Sequence, residues 1–369
     1  MQETSFQAPK FSRNQKDDFG PTVRKRVNEY FKVNNLSKTG DYRIWIKAVV
    51  LFLLYIVPFI LLLLYGSEMN FFTFYGLWLL MGVGIAGMGL GIMHDACHGS
   101  MFKSKKLNDF VGQFTLNFIA GSTINWKIQH NVLHHSYTNV DGYDEDISPS
   151  GVMRFSPNQE RKPFYKYQAY YAWFFYGLMT FIWATFKDIG QMPRFHKMGL
   201  LKQLGKSYRQ EWIALIVRKV FYFAIFLALP IYVIDIPWYY VVSGWFAMHF
   251  VAGLILGVIF QCAHVIPSTS YPGLDENHQL ENDVATHQML TTANFGNDNW
   301  FLSWFAGGLN FQIEHHLFPN VCHVHHKDIS KIVRETAEEF GVPYQYTPSF
   351  AKALAGHARF LDTLGKKDF

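Results

Sequence analysis

Along most of the chain apolar and polar residues are mixed, but in four stretches the polar residues all but vanish: 48–65, 71–93, 220–234 and 238–260. A helix crossing the apolar core of a bilayer needs about 20 residues at a rise of about 1.5 Å each. The pattern therefore predicts four membrane-spanning helices. Only "GSEMN" (66–70) separates the first two and only "DIP" (235–237) the last two, so each pair reads as an antiparallel hairpin. Arg218 and Lys219 interrupt the start of the third run. Snorkelling of their long stems accommodates them at a helix end.

The remaining segments divide around the hairpins. Residues 1–46 read as a polar arm with one amphipathic helix, "PTVRKRVNEYFKV", opened by Pro21 in its first turn. Residues 94–216 form an insert between the hairpins. Its stretch 165–187 is apolar enough to cross a membrane, yet a fifth crossing would separate the histidine clusters, so an interfacial helix with aromatics at headgroup level is expected. After a turn-rich segment at 268–283, charged helices are expected at 329–341 and 350–365. The expected fold is all-α and integral to the membrane, with four transmembrane helices as two hairpins under a cytoplasmic helical cap. Its divisions are an arm at 1–46, a membrane domain at 47–330 and C-terminal helices at 331–369.

Composition agrees, since half of the 369 residues are apolar and only 17% are charged. Basic residues give an orientation. Neither hairpin turn contains Lys or Arg, whereas "RNQK" (13–16), "RKR" (24–26) and "KSKK" (103–106) flank the spans, so both termini and the insert are expected in the cytoplasm. The net charge of +5 then reflects this rule and attraction to an anionic leaflet, and nucleic acid is a poor partner. No cleavable signal is evident near the N-terminus. Cys97, Cys262 and Cys322 show no paired spacing and read as small buried side chains in a reducing compartment. "GVGIAG" (82–87) fits a dinucleotide-binding pattern only formally, since it lies inside the second apolar run without a preceding strand. Helix packing explains it better, with Gly87 and Gly91 spaced to let two membrane helices approach.

Three histidine clusters adjoin the spans: "HDACH" with His94 and His98, "HNVLHH" with His130, His134 and His135, and "EHH" with His315 and His316. In the first two the i, i+4 spacing puts two imidazoles on one helix face, as neighbouring turns grip a metal. A lone pair of this kind is more often chance. Seven histidines in three clusters on one side of a membrane imply more than one ion. His264 ends the fourth span as His94 follows the second, and it joins the set by the symmetry of the hairpins. Eight imidazoles overshoot a single zinc, and two irons with about four nitrogens each and an open position fit better. No Glu-x-x-His occurs, which argues against a carboxylate-bridged site.

Ligating imidazoles donate their other N–H to a carboxylate or carbonyl. Asp95, Asn131, Asp144, Asp146 and Glu314 are available for this, although "DGYDED" (141–146) reads equally well as a solvated turn. His249, in mid-span, is either functional or a hydrogen-bonded neutral ring. "CHVHH" (322–326) supports the site or lies on its surface, and His196, His278, His287 and His357 are expected to be non-ligands.

"HDACH", "HNVLHH" and "QIEHH" resemble the three histidine boxes of the integral-membrane fatty acid desaturases, and Gln312 in place of the third box's first histidine resembles the front-end subgroup. The similarity extends through "NWKIQHNVLHHSYTN" and "WFAGGLNFQIEHHLFP" and covers about residues 45–330. It implies two non-haem irons, molecular oxygen and two electrons, and the removal of two hydrogens from an acyl chain to leave a cis double bond at a Δ5 or Δ6 position. By motif the iron ligands would be His94, His98, His130, His134, His135, His315 and His316. His264 matches the family's additional histidine, preceded by residues that depart from the pattern. Gln312 would reach a metal through water or contact the substrate. Many eukaryotic relatives carry a fused cytochrome b5 marked by His-Pro-Gly-Gly, and this chain has no His-Pro pair. Electrons would then come from ferredoxin, or from free cytochrome b5 with its reductase.

An oxidant able to attack a methylene must be kept from water and close to one carbon, so a bent apolar tunnel is expected. Trp126, Trp300, Trp304 and Phe311 adjoin the boxes and could line it. A lipid hydroxylase or ketolase on the same scaffold is the nearest alternative, from which "QIEHH" leans toward desaturation. A membrane metal carrier would place its ligands in mid-span instead. The acyl carrier, coenzyme A or a glycerolipid, stays open, as does the membrane, a bacterial inner membrane or the endoplasmic reticulum.

Overall fold

The computed structural model describes residues 6–12, 18–148 and 151–369. The basic "RNQK" at 13–16 lies outside the described residues. Four helical runs are long and apolar enough to cross a membrane: Tyr42–Glu68, Phe71–His98, Tyr208–Val233 and Trp238–His264. The first and second run antiparallel, as do the third and fourth, and the second packs against both the first and the fourth.

These helices outlast the apolar stretches that announce them. At 27 or 28 residues, the first, second and fourth are about 40 Å long, roughly 10 Å more than a bilayer's hydrocarbon core. His94, His98 and His264 lie in this excess, at the C-terminal ends of the second and fourth runs. The third begins at Tyr208 and runs straight through Arg218 and Lys219. Lys219 does not reach for water as expected. It is 6% exposed, and its ammonium donates to the carbonyls of Ala184 at 2.8 Å, Trp183 at 3.2 Å and Ala120 at 3.4 Å. Those carbonyls come from a π turn at Trp183–Lys187 and from left-handed Ala120, where regular helix bonding lapses.

The glycines of "GVGIAG" and its continuation lie at close helix contacts. A Cβ on Gly82 would stand 2.4 Å from the Met248 carbonyl of the fourth span, and one on Gly84 would stand 3.1 Å from the Tyr55 nitrogen of the first. On Gly87 it would meet Leu51, and on Gly91 the ammonium of Lys47, also on the first span.

Residues 165–187 form two short helices, Gln168–Gly177 and Met179–Ile182, and the π turn, where one interfacial helix was expected. They pack along the fourth span, with Phe174 against Phe250 and the Gly177 carbonyl against Gly253. Small residues there let the backbones meet and draw the segment alongside the middle of the span.

The cap is helical as well. Helix Phe19–Val33 buries Phe19, Val23, Val27 and Phe31, the i, i+4 stripe of an amphipathic helix, against His326–Glu339. Helix Phe350–Lys366, capped by Ser349, packs on Gln168–Gly177. Two short parallel ladders tie distant segments together: Lys10–Phe11 with Gln279–Leu280, and Asn294–Phe295 with Tyr346–Thr347.

Candidate metal centre

Four separate segments deliver the histidines. The second span passes through a π turn, Met88–Met93, into His94–His98. The second cluster lies on another π turn, Lys127–His134, followed directly by His135. The fourth span ends at His264, and the short helix Gln312–Leu317 carries His315 and His316. π turns are rare and recur at functional sites, because the extra residue rotates the side chains that follow.

All eight imidazoles converge. His94, His98, His130 and His315 form one group and His134, His264 and His316 another, with the nitrogens of each group within 4.8 Å of one another. His135 lies between them, its ring 4.6 Å from those of His98 and His315 and 4.2 Å from that of His316. The i, i+4 pair of the first cluster stays together in one group. In the second, His130 joins His94, His98 and His315 and His134 joins His264 and His316, while the two also stand together with Asp146, their ligand atoms within 4.8 Å of one another. On its π turn His130 also faces its i+5 neighbour, with Nε2 of His130 and His135 3.3 Å apart.

The groups are built for cations. Nε2 of His98, His134, His264, His315 and His316 is buried and finds no hydrogen-bond partner among the described residues, which leaves these nitrogens available to a cation. Burial, reinforced by neighbouring imidazoles, holds His130, His135, His315 and His316 well below the ordinary histidine range, so their lone pairs are free. Burial pulls His134 the same way, but the Asp144 carboxylate outweighs it and raises that ring. Because the two groups share no residue, two ions can be held at once. The donors, all imidazole, suit iron as they suit zinc, copper and nickel.

On three of the rings the other nitrogen is held. His134 Nδ1 donates to Asp144 Oδ2 at 3.0 Å, and the same oxygen accepts from the Asn139 amide at 2.9 Å. His316 Nδ1 donates to Gln288 Oε1 at 2.7 Å, while Gln288 Nε2 holds the His135 carbonyl at 2.8 Å. His264 Nδ1 points at the Thr291 carbonyl, 3.4 Å away. Gln288 and Thr291 escaped the sequence reading, since nothing in "VATHQML" marks a short polar helix as a support.

The residues expected to steady the ligands have more varied roles. Asp144 contacts a ligand-set histidine directly, and Asp146 lies 3.7 Å from His130 Nδ1. Asp95 accepts instead from His323 Nδ1 at 2.7 Å and Cys322 Sγ at 2.9 Å, and His323 Nε2 accepts from buried Lys47 at 3.1 Å. Asn131 donates to the Cys97 carbonyl at 3.1 Å. Glu314 turns away from the histidines, accepting from Asn294 at 2.8 Å and Tyr344 at 2.9 Å, and burial pushes its carboxyl up to about 7. His249 is a bonded ring in mid-span, 2.5 Å from the Tyr222 hydroxyl. Cys97, Cys262 and Cys322 are buried and free.

Beside the histidines lies an apolar cavity of about 160 Å³, reached by His94, His130 and Gln312. Gln312 is 1% exposed and its Oε1 has no hydrogen-bond partner among the described residues. Of the aromatics expected to line a tunnel, Trp126 does so, whereas Trp300 is 75% exposed and Trp304 packs against the main apolar core. Phe311 is buried away from the cavity wall.

A model of the fatty acid desaturase family matches residues 70–348. The chain is 30% identical over 364 residues to the sn-1 linoleoyl-lipid 6-desaturase of Synechocystis sp., covering 95% of this chain and 97% of that one. It is 32% identical to the enzyme of the same name from Arthrospira platensis, covering 93% and 91%. It is 33% identical to the acyl-lipid (8-3)-desaturase of Physcomitrium patens, covering 96% and 73%.

Proposed function

The chain belongs to the fatty acid desaturase family, and from that premise we propose that it introduces a cis double bond near the carboxyl end of an acyl chain carried on a membrane lipid. As a family member it is an oxidoreductase of lipid metabolism and an integral membrane protein. The observation that carries the reading is the convergence of eight imidazoles, four in one group, three in another and His135 between, beside an apolar cavity that His94 and His130 line. Two iron ions held there would supply the oxygen activation needed to take hydrogens from an unactivated methylene pair. His94, His98, His130 and His315 would hold one, and His134, His264 and His316 the other, with His135 between. Asp144 and Gln288 keep the Nε2 faces of His134 and His316 toward the metals by holding their Nδ1 protons. The cavity holds the substrate and excludes water.

The front-end position is supported by Gln312 in the third box and by relatives named 6-desaturase and (8-3)-desaturase. A site on one membrane face is supported by candidate ligands at the C-terminal ends of both the second and the fourth helical runs. The cytoplasmic face follows from the basic flanks, in a bacterial inner membrane or the endoplasmic reticulum. Electrons come from ferredoxin or free cytochrome b5 with its reductase.

The test is expression in a host of known fatty acid composition with a compatible donor, followed by mass spectrometry of double-bond positions. A new Δ5 or Δ6 bond is expected. A hydroxylated product would favour the hydroxylase alternative, and unchanged lipids despite iron-loaded protein would defeat the proposal.

A further inference from the structure

The wall of the cavity changes character along its length. Ile85, Leu116, Phe118 and Ile119 line one part, all of them buried, and Ile85 lies nine positions before His94, about 14 Å further along the second span. Gln129, Asp146 and Lys187 also line it and, like Gly89, Met179, Leu256 and Phe260, are only partly buried, so where these polar residues reach the surroundings the cavity has a polar mouth. This mouth is next to the metal centre. Gln129 precedes His130, and Asp146 lies 3.7 Å from that ring.

Lys187 is the cation of the mouth with no other task. Its ammonium lies over the Trp183 ring, 4.6 Å from the centroid, and has no ion-pair partner among the described residues. The neighbouring cations are spent: Arg194 pairs with Glu145 at 2.7 Å, and Lys219 is bound to three carbonyls. Resting on the desaturase reading above, we propose that Lys187 positions the substrate, its ammonium donating to the oxygens at the carrier end of the acyl chain. An acyl chain can place only its methyl end in the apolar part, because ester oxygens would find no partner there. Its oxygen-bearing end therefore stays at the mouth, and the carbons beside His94, His130 and Gln312 are those a few bonds from the carbonyl. The register fixed by Lys187 sets the position of the double bond.

The test uses the full-length, iron-loaded enzyme with its donor, on linoleoyl phosphatidylglycerol, an uncharged linoleoyl galactolipid and linoleoyl-CoA. Lys187→Met is expected to lower kcat/KM by about tenfold or more, mainly through KM, and to spread the double bond over adjacent carbons, with Lys187→Arg retaining a single position. Loss on all three substrates assigns the contact to the acyl carbonyl, and loss confined to the phosphate-bearing two assigns it to the phosphate. Lys187→Gln is read in the same way should the methionine variant fail to fold. Variants with wild-type KM and an unchanged bond position would overturn the role of Lys187. A wild-type enzyme that desaturates none of the three would instead defeat the functional reading itself.

Discussion

His134 donates its Nδ1 proton to Asp144 across 3.0 Å, and both side chains are fully buried. The carboxylate thereby selects the tautomer that turns Nε2 toward His264 and His316. Asp144→Asn keeps the shape but can present an amide proton in place of the acceptor. Iron affinity is expected to fall by about 10- to 100-fold, measured as iron retained per chain against a graded chelator. Unchanged retention would show that Asp144 does not set the orientation of His134.

His264 belongs to the group of three and to none of the others. His264→Ala should therefore weaken one ion far more than its neighbour. Elemental analysis is expected to give about one iron per chain where the parent holds about two, with desaturated product lost. Retention of both ions would remove His264 from the ligand set.

Gly307 has φ +63°, and a Cβ there would stand 2.3 Å from the Leu90 carbonyl on the π turn that leads into His94. Gly307→Ala meets both backbone strain and a contact that backbone cannot relieve. A loss of at least about 1 kcal/mol is expected from the strain alone, read as a lowered thermal midpoint in detergent. A stability equal to the parent's would refute so tight an approach.

The metal-free protein should be sensitive to acid. His130, His135, His315 and His316 are neutral in the fold well below the pH at which they protonate in an unfolded chain, about 6.5. Below that pH the unfolded state binds more protons, so the stabilising contribution present above about 6.5 is lost as the pH falls. His134 has the opposite sign, since its raised folded value favours the fold as it protonates, and one such ring offsets only part of the effect of four. The thermal midpoint of the iron-free protein is expected to be lower at pH 5.5 than at pH 7.5. A midpoint independent of pH across that range would contradict the burial of these rings.

The parts of this molecule legible in the sequence are those in which neighbours in the chain are also neighbours in space. The apolar runs give the four spans, and His94 with His98 share a helix face as 3.6 residues per turn dictates. The second cluster departs because a π turn sets His130 against its i+5 neighbour His135 as well as beside His134, so that one cluster reaches into both groups. Gln288 could not be foreseen as the partner of His316 because they are 28 residues apart and no motif joins them. Lys219 was misjudged for a related reason: the carbonyls that receive it belong to irregular turns, at 120 and at 183–184, far from it in the chain. Asp144 was one of five side chains available to orient the rings, within a turn that read equally well as solvated, and the fold around Asn139 sets it on His134.

The eight nitrogen donors are spread from position 94 to position 316, a separation of 222 residues. A ribosome must therefore finish most of the polypeptide, and the insertion machinery must seat both hairpins, before the cage can close. On the proposed reading, iron capture is thus a late maturation step, and cells short of iron would insert this chain with its cage unfilled.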